Sequence, residues 1–516
     1  MLAVLRSGAL QGIEALLVAV EVDIAFGLPV FSLVGLPDSA VKEARERVFS
    51  SLKNSGYEVP SRRVTINLAP ADLRKEGSAP DLPMALGMLA ASEQIDASLL
   101  DGVMALGELS LDGGLRPARG ILSMALAARR EGLHTVLLPA ANAREAALVP
   151  GIRLLPAASL KGALEALRTG QGDPIPEETE VDPSGAEPDL DYTEIKGHAQ
   201  AKRALEVAAA GGHNFLMAGS PGCGKTLMAR RLPSILPPLS EEEGLEATRI
   251  YSVAGLLRPG HGMMRRRPFR APHHSISDQA LVGGGRIPRP GEVSLAHLGV
   301  LFLDELPEFR KSTLETLRQP LEDGQVTIAR TAHTVTYPSR CLLGAALNPC
   351  PCGFLSDPMD RCSCRPDAIA RYRGRISGPL LDRIDLHLEV PSLGVDEVIA
   401  DRWEETSEAI RGRVLAAREV QRERFRGLVS DGRGVHCNAH MATREIRRYC
   451  TLTPACKGLL RGAVESLGLS ARAFDRILKV ARTVADLDGS EAVAERHIAE
   501  AIHYRSMDRK ATGERR

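Results

Sequence analysis

Aromatic side chains are scarce in this chain: one tryptophan, seven tyrosines and ten phenylalanines among 516 residues, 3% in all. Stacking bases on aromatic rings therefore cannot be its main grip on a nucleic acid. Net charge is missing as well. The 65 basic and 65 acidic residues cancel, so no global field attracts a polyanion or a membrane surface, and such a partner has to be met by local patches. Long apolar runs are also absent near the N-terminus, where Gln11, Glu14, Glu21 and Asp23 interrupt the chain before a signal-peptide core or a spanning helix can form. A cytoplasmic protein without a membrane partner is expected. Nine cysteines, an odd number with one inside a glycine-rich loop, do not fit a secreted disulfide scaffold. Otherwise the composition is ordinary for a globular protein, and the length suits about three domains.

What is present is a phosphate-binding loop. Gly219, Ser220, Pro221, Gly222, Cys223, Gly224, Lys225 and Thr226 complete the eight-residue pattern directly after the apolar stretch 214–218. Glycines there let successive N–H groups converge on phosphate oxygens, Lys225 reaches the outer phosphates, and the Thr226 hydroxyl suits Mg²⁺. A nucleoside triphosphate ligand is expected. Further on, the apolar run 299–303 ends in Asp304 and Glu305. It reads as a buried parallel strand that delivers Asp304 to Mg²⁺ through water and Glu305 to the attacking water, the pairing of a hydrolytic motor. A third apolar strand, 341–347, ends at Asn348, whose amide can sense the γ-phosphate or simply cap a turn. Arg383 can serve as an arginine finger or pair with Asp382 or Asp385. Arg472, at the start of a helix, can reach the phosphates from the other side.

The boundary between domains is legible. Residues 171–191 contain eight acidic residues, four prolines and no basic residue, too little apolar surface to order itself. This gives an α/β class with an N-terminal domain over 1–170, a linker over 171–191, a nucleotide core over 192–393 and a helical domain over 394–516. Alternation predicts strands at 17–24 and 63–68, with helices at about 38–55, 80–93 and 120–132. Helical periodicity marks 459–467 and 473–484.

Two further patterns carry chemistry. Residues 258–277 hold five arginines and no acid, including Arg265, Arg266, Arg267 and Arg270; such a segment grips DNA phosphates or is a solvated charged loop. Cys350 and Cys352, then Cys362 and Cys364, form two C-x-C pairs separated by nine residues. They close one tetrahedral Zn²⁺ site or remain four reduced thiols.

These parts together resemble the AAA+ ATPases, specifically the magnesium-chelatase-like YifB/ComM type, over essentially the whole chain. The likeness is carried by residues 267–275, by 290–297 running into the Asp304–Glu305 strand, by 348–353, and by 481–487. It implies ATP and Mg²⁺ as cofactors, a homo-oligomeric ring, usually a hexamer, and DNA branch migration in recombination of incoming DNA. By matching motif it makes Asn348 the first sensor, Arg383 the finger and Arg472 the second sensor, with the helical domain as lid. A hairpin at 325–337, placed as in related helicases, makes Arg330 and His333 tip candidates for DNA contact. The N-terminal domain is similar to the proteolytic domain of Lon, yet the serine and lysine of that dyad fall on Asp81 and Leu122. Ser78 with Lys75 would be a displaced dyad. The alternatives are a chelatase-like subunit that remodels a partner protein, and an ATP-dependent protease.

Overall fold

The computed structural model describes residues 1–505 apart from 37, 39–40, 42, 72–74, 76–78, 176, 178–189, 286–287, 330–333, 356–360, 395–396, 398–403 and 431–432. The architecture is mixed α/β, built on two large sheets. The first has seven strands, in the spatial order Phe31–Val34, Arg63–Ala69, Glu14–Ala25, Leu2–Gln11, Val103–Ala105, Thr135–Pro139 and Arg153–Ala157. Its middle is an antiparallel hairpin of the first two strands in sequence, and its last three strands run parallel. Alternation along Glu14–Ala25 sorts its side chains to two faces. Val18, Val20 and Val22 pack in the cluster of the helix Asp81–Ala91, while Ala15 and Leu17 join the cluster of the helix Ile121–Arg130. Every residue of Asp81–Ala91 is buried, as expected for a helix apolar all round. The expected helices thus form, shortened at their ends.

The second sheet has five strands, all parallel, in the order Phe269–Arg270, Val300–Leu303, Leu342–Leu347, Phe215–Ala218 and Leu386–Glu389. Its three central strands are almost wholly buried apolar runs, the pattern of a sheet covered on both faces. Because the strands are parallel, the segments that follow them, at Gly219, Asp304 and Asn348, all emerge at one edge. Segments that precede strands, such as Asn214 and Arg383 to Asp385, lie at the other.

C-terminal helices complete the chain: Ser407–Arg424, Pro454–Leu467, Ala471–Leu487 and Glu495–His503. They share one apolar core with the helix Ala199–Gly211 and the strands Phe215–Ala218 and Leu386–Glu389. Ser470 caps Ala471–Leu487 by accepting from the Ala473 N–H at 3.2 Å.

The N-terminal body rests on the core through the turn of its first hairpin. The Ile13 carbonyl and Glu14 carboxylate accept from Arg249 of the helix Glu241–Ala254 at 3.1 and 2.8 Å. Gly12, at φ +68°, faces a second hairpin formed by Gln325–Ala329 and Thr334–Pro338. A Cβ at Gly12 would lie 2.7 Å from the Val335 side chain and 3.2 Å from the Thr336 carbonyl. Beside this contact, Glu145 is buried and accepts from Ser252 and Asn142, each at 2.6 Å. Burial pushes its pKa above the ordinary carboxylate value, against those hydrogen bonds.

Candidate nucleotide site

The loop after Phe215–Ala218 takes a shape that glycine permits. Gly222 and Gly224 sit at φ +80° and +87°, in the left-handed region that other residues enter at a cost. Space around Gly222 is open, so the requirement there is backbone conformation rather than room. Lys225 begins the helix Lys225–Ile235 and is buried. Its Nζ donates to the Gly219 and Ser220 carbonyls at 2.7 and 2.9 Å and to Asn348 Oδ1 at 3.3 Å. Each of these acceptors is neutral. A buried ammonium at a helix N-terminus, with no carboxylate against it among the described residues, is a site prepared for an anion.

The acidic half follows the strand Val300–Leu303, one strand removed from Phe215–Ala218 across Leu342–Leu347. Thr226 Oγ1 donates to Asp304 Oδ2 at 2.5 Å, which brings together the two groups expected at Mg²⁺. The other oxygen of Asp304 accepts the Glu305 N–H at 2.9 Å. Glu305 itself adopts φ +51°, a conformation costing a bulky residue about 1–3 kcal/mol. Its carboxylate is exposed, and His274 Nδ1 approaches it to 3.3 Å. His274 is stacked on His273, ring centroids 4.0 Å apart, and meets Phe309 edge-on. The contact between His274 and Glu305 was not foreseen. Its signal is positional: His274 follows the strand Phe269–Arg270, which pairs directly with Val300–Leu303.

Arg383 and Arg472 are elsewhere. Both line a cavity of about 340 Å³ together with Arg340, Arg476, Lys479 and Glu322, and none of residues 219–226 lines it. Asn214, which precedes the P-loop strand, also lines it, so the cavity opens at the sheet edge opposite Lys225. Asn214 Nδ2 donates to the Arg383 carbonyl at 3.0 Å. Arg383 is ion-paired with Glu322, not with the Asp382 or Asp385 expected of a surface arginine. Arg476, one helical turn after Arg472, donates to the Arg383 carbonyl at 3.2 Å and pairs with Asp385. Asp385 also meets His213 Nδ1 at 3.1 Å, and the other ring nitrogen of His213 lies 2.8 Å from Thr483. Burial alone would raise Asp385, but Arg476 and then His213 outweigh it and hold the carboxyl well below the usual carboxylate range. Arg472 therefore lies on the same side as Arg383, because the helix Ala471–Leu487 is joined to the Arg383 segment through Arg476.

Comparison with known proteins accounts for all three parts of the chain. Residues 191–398 match the family model described as magnesium chelatase, subunit ChlI; residues 20–142 match subunit ChlI of Mg-chelatase; and residues 404–505 match the ChlI C-terminal model. The chain is 45% identical over 514 residues to competence protein ComM of Haemophilus influenzae and 44% identical over 510 residues to YifB of Escherichia coli K12, in each case over 98% of both chains. It belongs to the magnesium-chelatase-like family of the YifB and ComM type. More distantly, it is 22% identical over 331 residues to the magnesium-chelatase 38 kDa subunit of Cereibacter sphaeroides, covering 60% of this chain and 88% of that one.

In this YifB/ComM-type chain the four clustered cysteines follow Asn348 directly. Their ligand atoms all lie within 4.8 Å of one another, so the cluster can hold a metal ion. The basic segment divides. Arg265 and Arg266 are exposed, but Arg267 turns inward, donating to the carbonyls of Pro237 and Leu298 at 2.6 and 2.7 Å and to Glu243 at 2.9 Å. Arg270 forms a bidentate pair with Glu292 at 2.6 and 2.8 Å. Both of these guanidinium groups are engaged within the fold, unlike an arginine held only by a phosphate. Arg330 and His333 lie outside the described residues. At the positions aligned with the Lon dyad, Asp81 is held by Arg47 at 2.6 and 3.0 Å and Leu122 is buried in the core. Ser78, the partner proposed for Lys75, lies outside the described residues. None of the helices among the described residues is long and apolar enough to cross a membrane.

Proposed function

We propose that this protein is an ATP hydrolase working as a ring-shaped DNA motor, a branch-migration helicase or translocase that serves recombination of incoming DNA. ATP and Mg²⁺ would be held by residues 219–226 and Asp304, with Glu305 polarising the attacking water and Asn348 sensing the γ-phosphate. Arg383 and Arg472 would complete the site of the neighbouring subunit. The observation that carries this reading is their shared cavity at the sheet edge opposite Lys225. One chain cannot bring both edges to one nucleotide, whereas a head-to-tail ring, hexameric by resemblance, joins one subunit's P-loop edge to the next subunit's arginine edge.

Support for DNA as the partner comes from two sides. The 45% identity to a competence protein extends over 98% of the chain, and Arg265 with Arg266 forms an exposed local basic patch on a chain of zero net charge. The division proposed is a Lon-like platform over 1–170, a linker over 171–191, an AAA+ core over 192–393 and a lid over 394–516, in a cytoplasmic protein. With Asp81 and Leu122 at the aligned positions, the platform lacks the aligned Lon-type dyad. Zn²⁺ is proposed for the cysteine cluster.

The test is ATP hydrolysis with and without single-stranded, duplex and forked DNA, followed by movement of a four-way branch point with ATP and Mg²⁺. Stimulation by DNA and branch movement are expected. A rate indifferent to every DNA, with no branch movement, overturns the motor reading and favours remodelling of a partner protein, the reading that the likeness to chelatase subunits supports.

A further inference from the structure

Just beyond the strand that ends in Asn348, the backbone turns through Pro349 and Cys350 and folds back on itself. The Gly353 N–H donates to the Cys350 carbonyl at 2.9 Å. Cys350 is fully buried, and the other three cysteines are partly so. All four are free thiols. The Cys350–Cys362 and Cys352–Cys362 sulfur separations are 3.8 and 3.7 Å, and Cys350–Cys352 is 3.3 Å. A disulfide needs about 2.05 Å, whereas the edge of a tetrahedron of sulfurs about 2.3 Å from a central Zn²⁺ is about 3.8 Å. The arrangement is that of a metal tetrahedron rather than of paired disulfides. Beside the cluster in sequence, Arg361 lies over the Phe354 ring at 4.2 Å and Arg373 donates to the Pro349 carbonyl at 3.2 Å.

Two short paths lead from this cluster to the nucleotide site. Asn348, two residues before Cys350, accepts from Lys225 at 3.3 Å. Gly353, one residue after Cys352, lies against the ring of Pro221 in the P-loop. A Cβ at Gly353 would fall 2.5 and 2.6 Å from the Pro221 Cδ and Cγ atoms. Gly353 is also held at φ +85°, so both its conformation and its closeness to Pro221 depend on the fold of residues 350–353.

We propose that the four cysteines bind one divalent metal ion of the zinc class, and that this ion braces the nucleotide site by fixing Gly353 against Pro221 and Asn348 against Lys225. The proposal rests on the nucleotide reading given above. Metal binding would tie Cys350 and Cys352 to Cys362 and Cys364. Its loss would free two of the contacts that shape the phosphate cradle, although none of the four clustered cysteines belongs to that cradle.

The experiment uses the untagged full-length protein. Elemental analysis of wild type is expected to give about one zinc per chain. Exchange with Co²⁺ is expected to produce the visible bands of a tetrahedral thiolate complex. Cys362→Ser with Cys364→Ser should abolish both signals and weaken binding of a fluorescent ATP analogue about tenfold, equivalent to about 1.4 kcal/mol, while the circular dichroism spectrum is retained. Gly353→Ala should keep the metal yet weaken the analogue comparably, and it tests the brace even if the double variant does not fold. Wild type that binds the analogue but contains no metal and takes up no Co²⁺ overturns the metal site. Undiminished affinity in the metal-free double variant, or in folded Gly353→Ala, overturns the brace. Metal-loaded wild type that binds no analogue overturns the nucleotide reading, and the brace with it.

Discussion

The two edges of the parallel sheet are built in different ways. At the P-loop edge, Lys225, Thr226, Asp304 and Asn348 already touch within one chain, held by hydrogen bonds that a strand tip and a helix start dictate. At the opposite edge, Arg383 and Arg472 surround an open cavity and are positioned through Arg476, Asp385 and the C-terminal helix. The first edge is a finished binding surface. The second presents Arg472 beside two ion pairs, Arg383 with Glu322 and Arg476 with Asp385. In the proposed ring, a chain divided in this manner would bind nucleotide as a monomer but need a neighbour to hydrolyse it quickly.

The strongest way to break that comparison is to disable each edge in turn. Lys225→Ala should abolish detectable nucleotide binding in equilibrium titrations. Glu305→Gln should bind normally and lose about 10²- to 10³-fold in turnover, because only the water-polarising carboxylate is gone. Arg383→Ala should keep nucleotide affinity and ring assembly while hydrolysis falls by about 10³-fold. Mixed with Lys225→Ala subunits, it should recover part of the activity at interfaces that pair an intact P-loop with an intact Arg383. If the mixture forms rings that stay as inactive as their components, the division between edges is wrong.

A smaller effect separates the arginines of the basic segment. Arg265→Ala with Arg266→Ala should weaken DNA binding regardless of sequence and reduce the slope of log affinity against log salt by about 2. Arg267→Ala should instead lower the thermal midpoint, costing about 2 kcal/mol, since it removes a guanidinium that satisfies buried carbonyls. The smallest effect concerns Glu145. Its pKa is raised in the fold above an unfolded value of about 4.3. This carboxyl therefore favours folding fully below that value, and the contribution is lost as pH rises through the raised pKa. Glu145→Gln should be more stable than wild type at pH 8, and melting curves taken toward pH 4 should bring the two together.

Features written in a single local segment could be read directly from the sequence. The P-loop and the strand ending in Asp304 and Glu305 each combine an apolar run with adjacent polar chemistry, so type, position and partner follow from one window. The orientation of Arg472 did not follow. It depends on Arg476 meeting Asp385 across 91 residues, a contact that leaves no local pattern. Nor does a run of arginines reveal which member turns inward. Arg267 is internal because the carbonyls of Pro237 and Leu298 converge on it, and neither segment advertises that acceptor. The His274 approach to Glu305 was hidden for the same reason, since strand adjacency is a property of the sheet.

The turn at Gly12 and Ile13 is narrow, yet the strand that leaves it, Glu14–Ala25, has twelve residues and spans about 40 Å at 3.3 Å per residue. Val335 and Thr336 press on its near end, where side-chain room is already exhausted. A seesaw pivoted so close to one end magnifies movement: a tilt of about 10° applied there would sweep the far tip of that strand through about 7 Å, given its length. Small angular play in the second hairpin would thus become visible displacement at the outer rim of the N-terminal body.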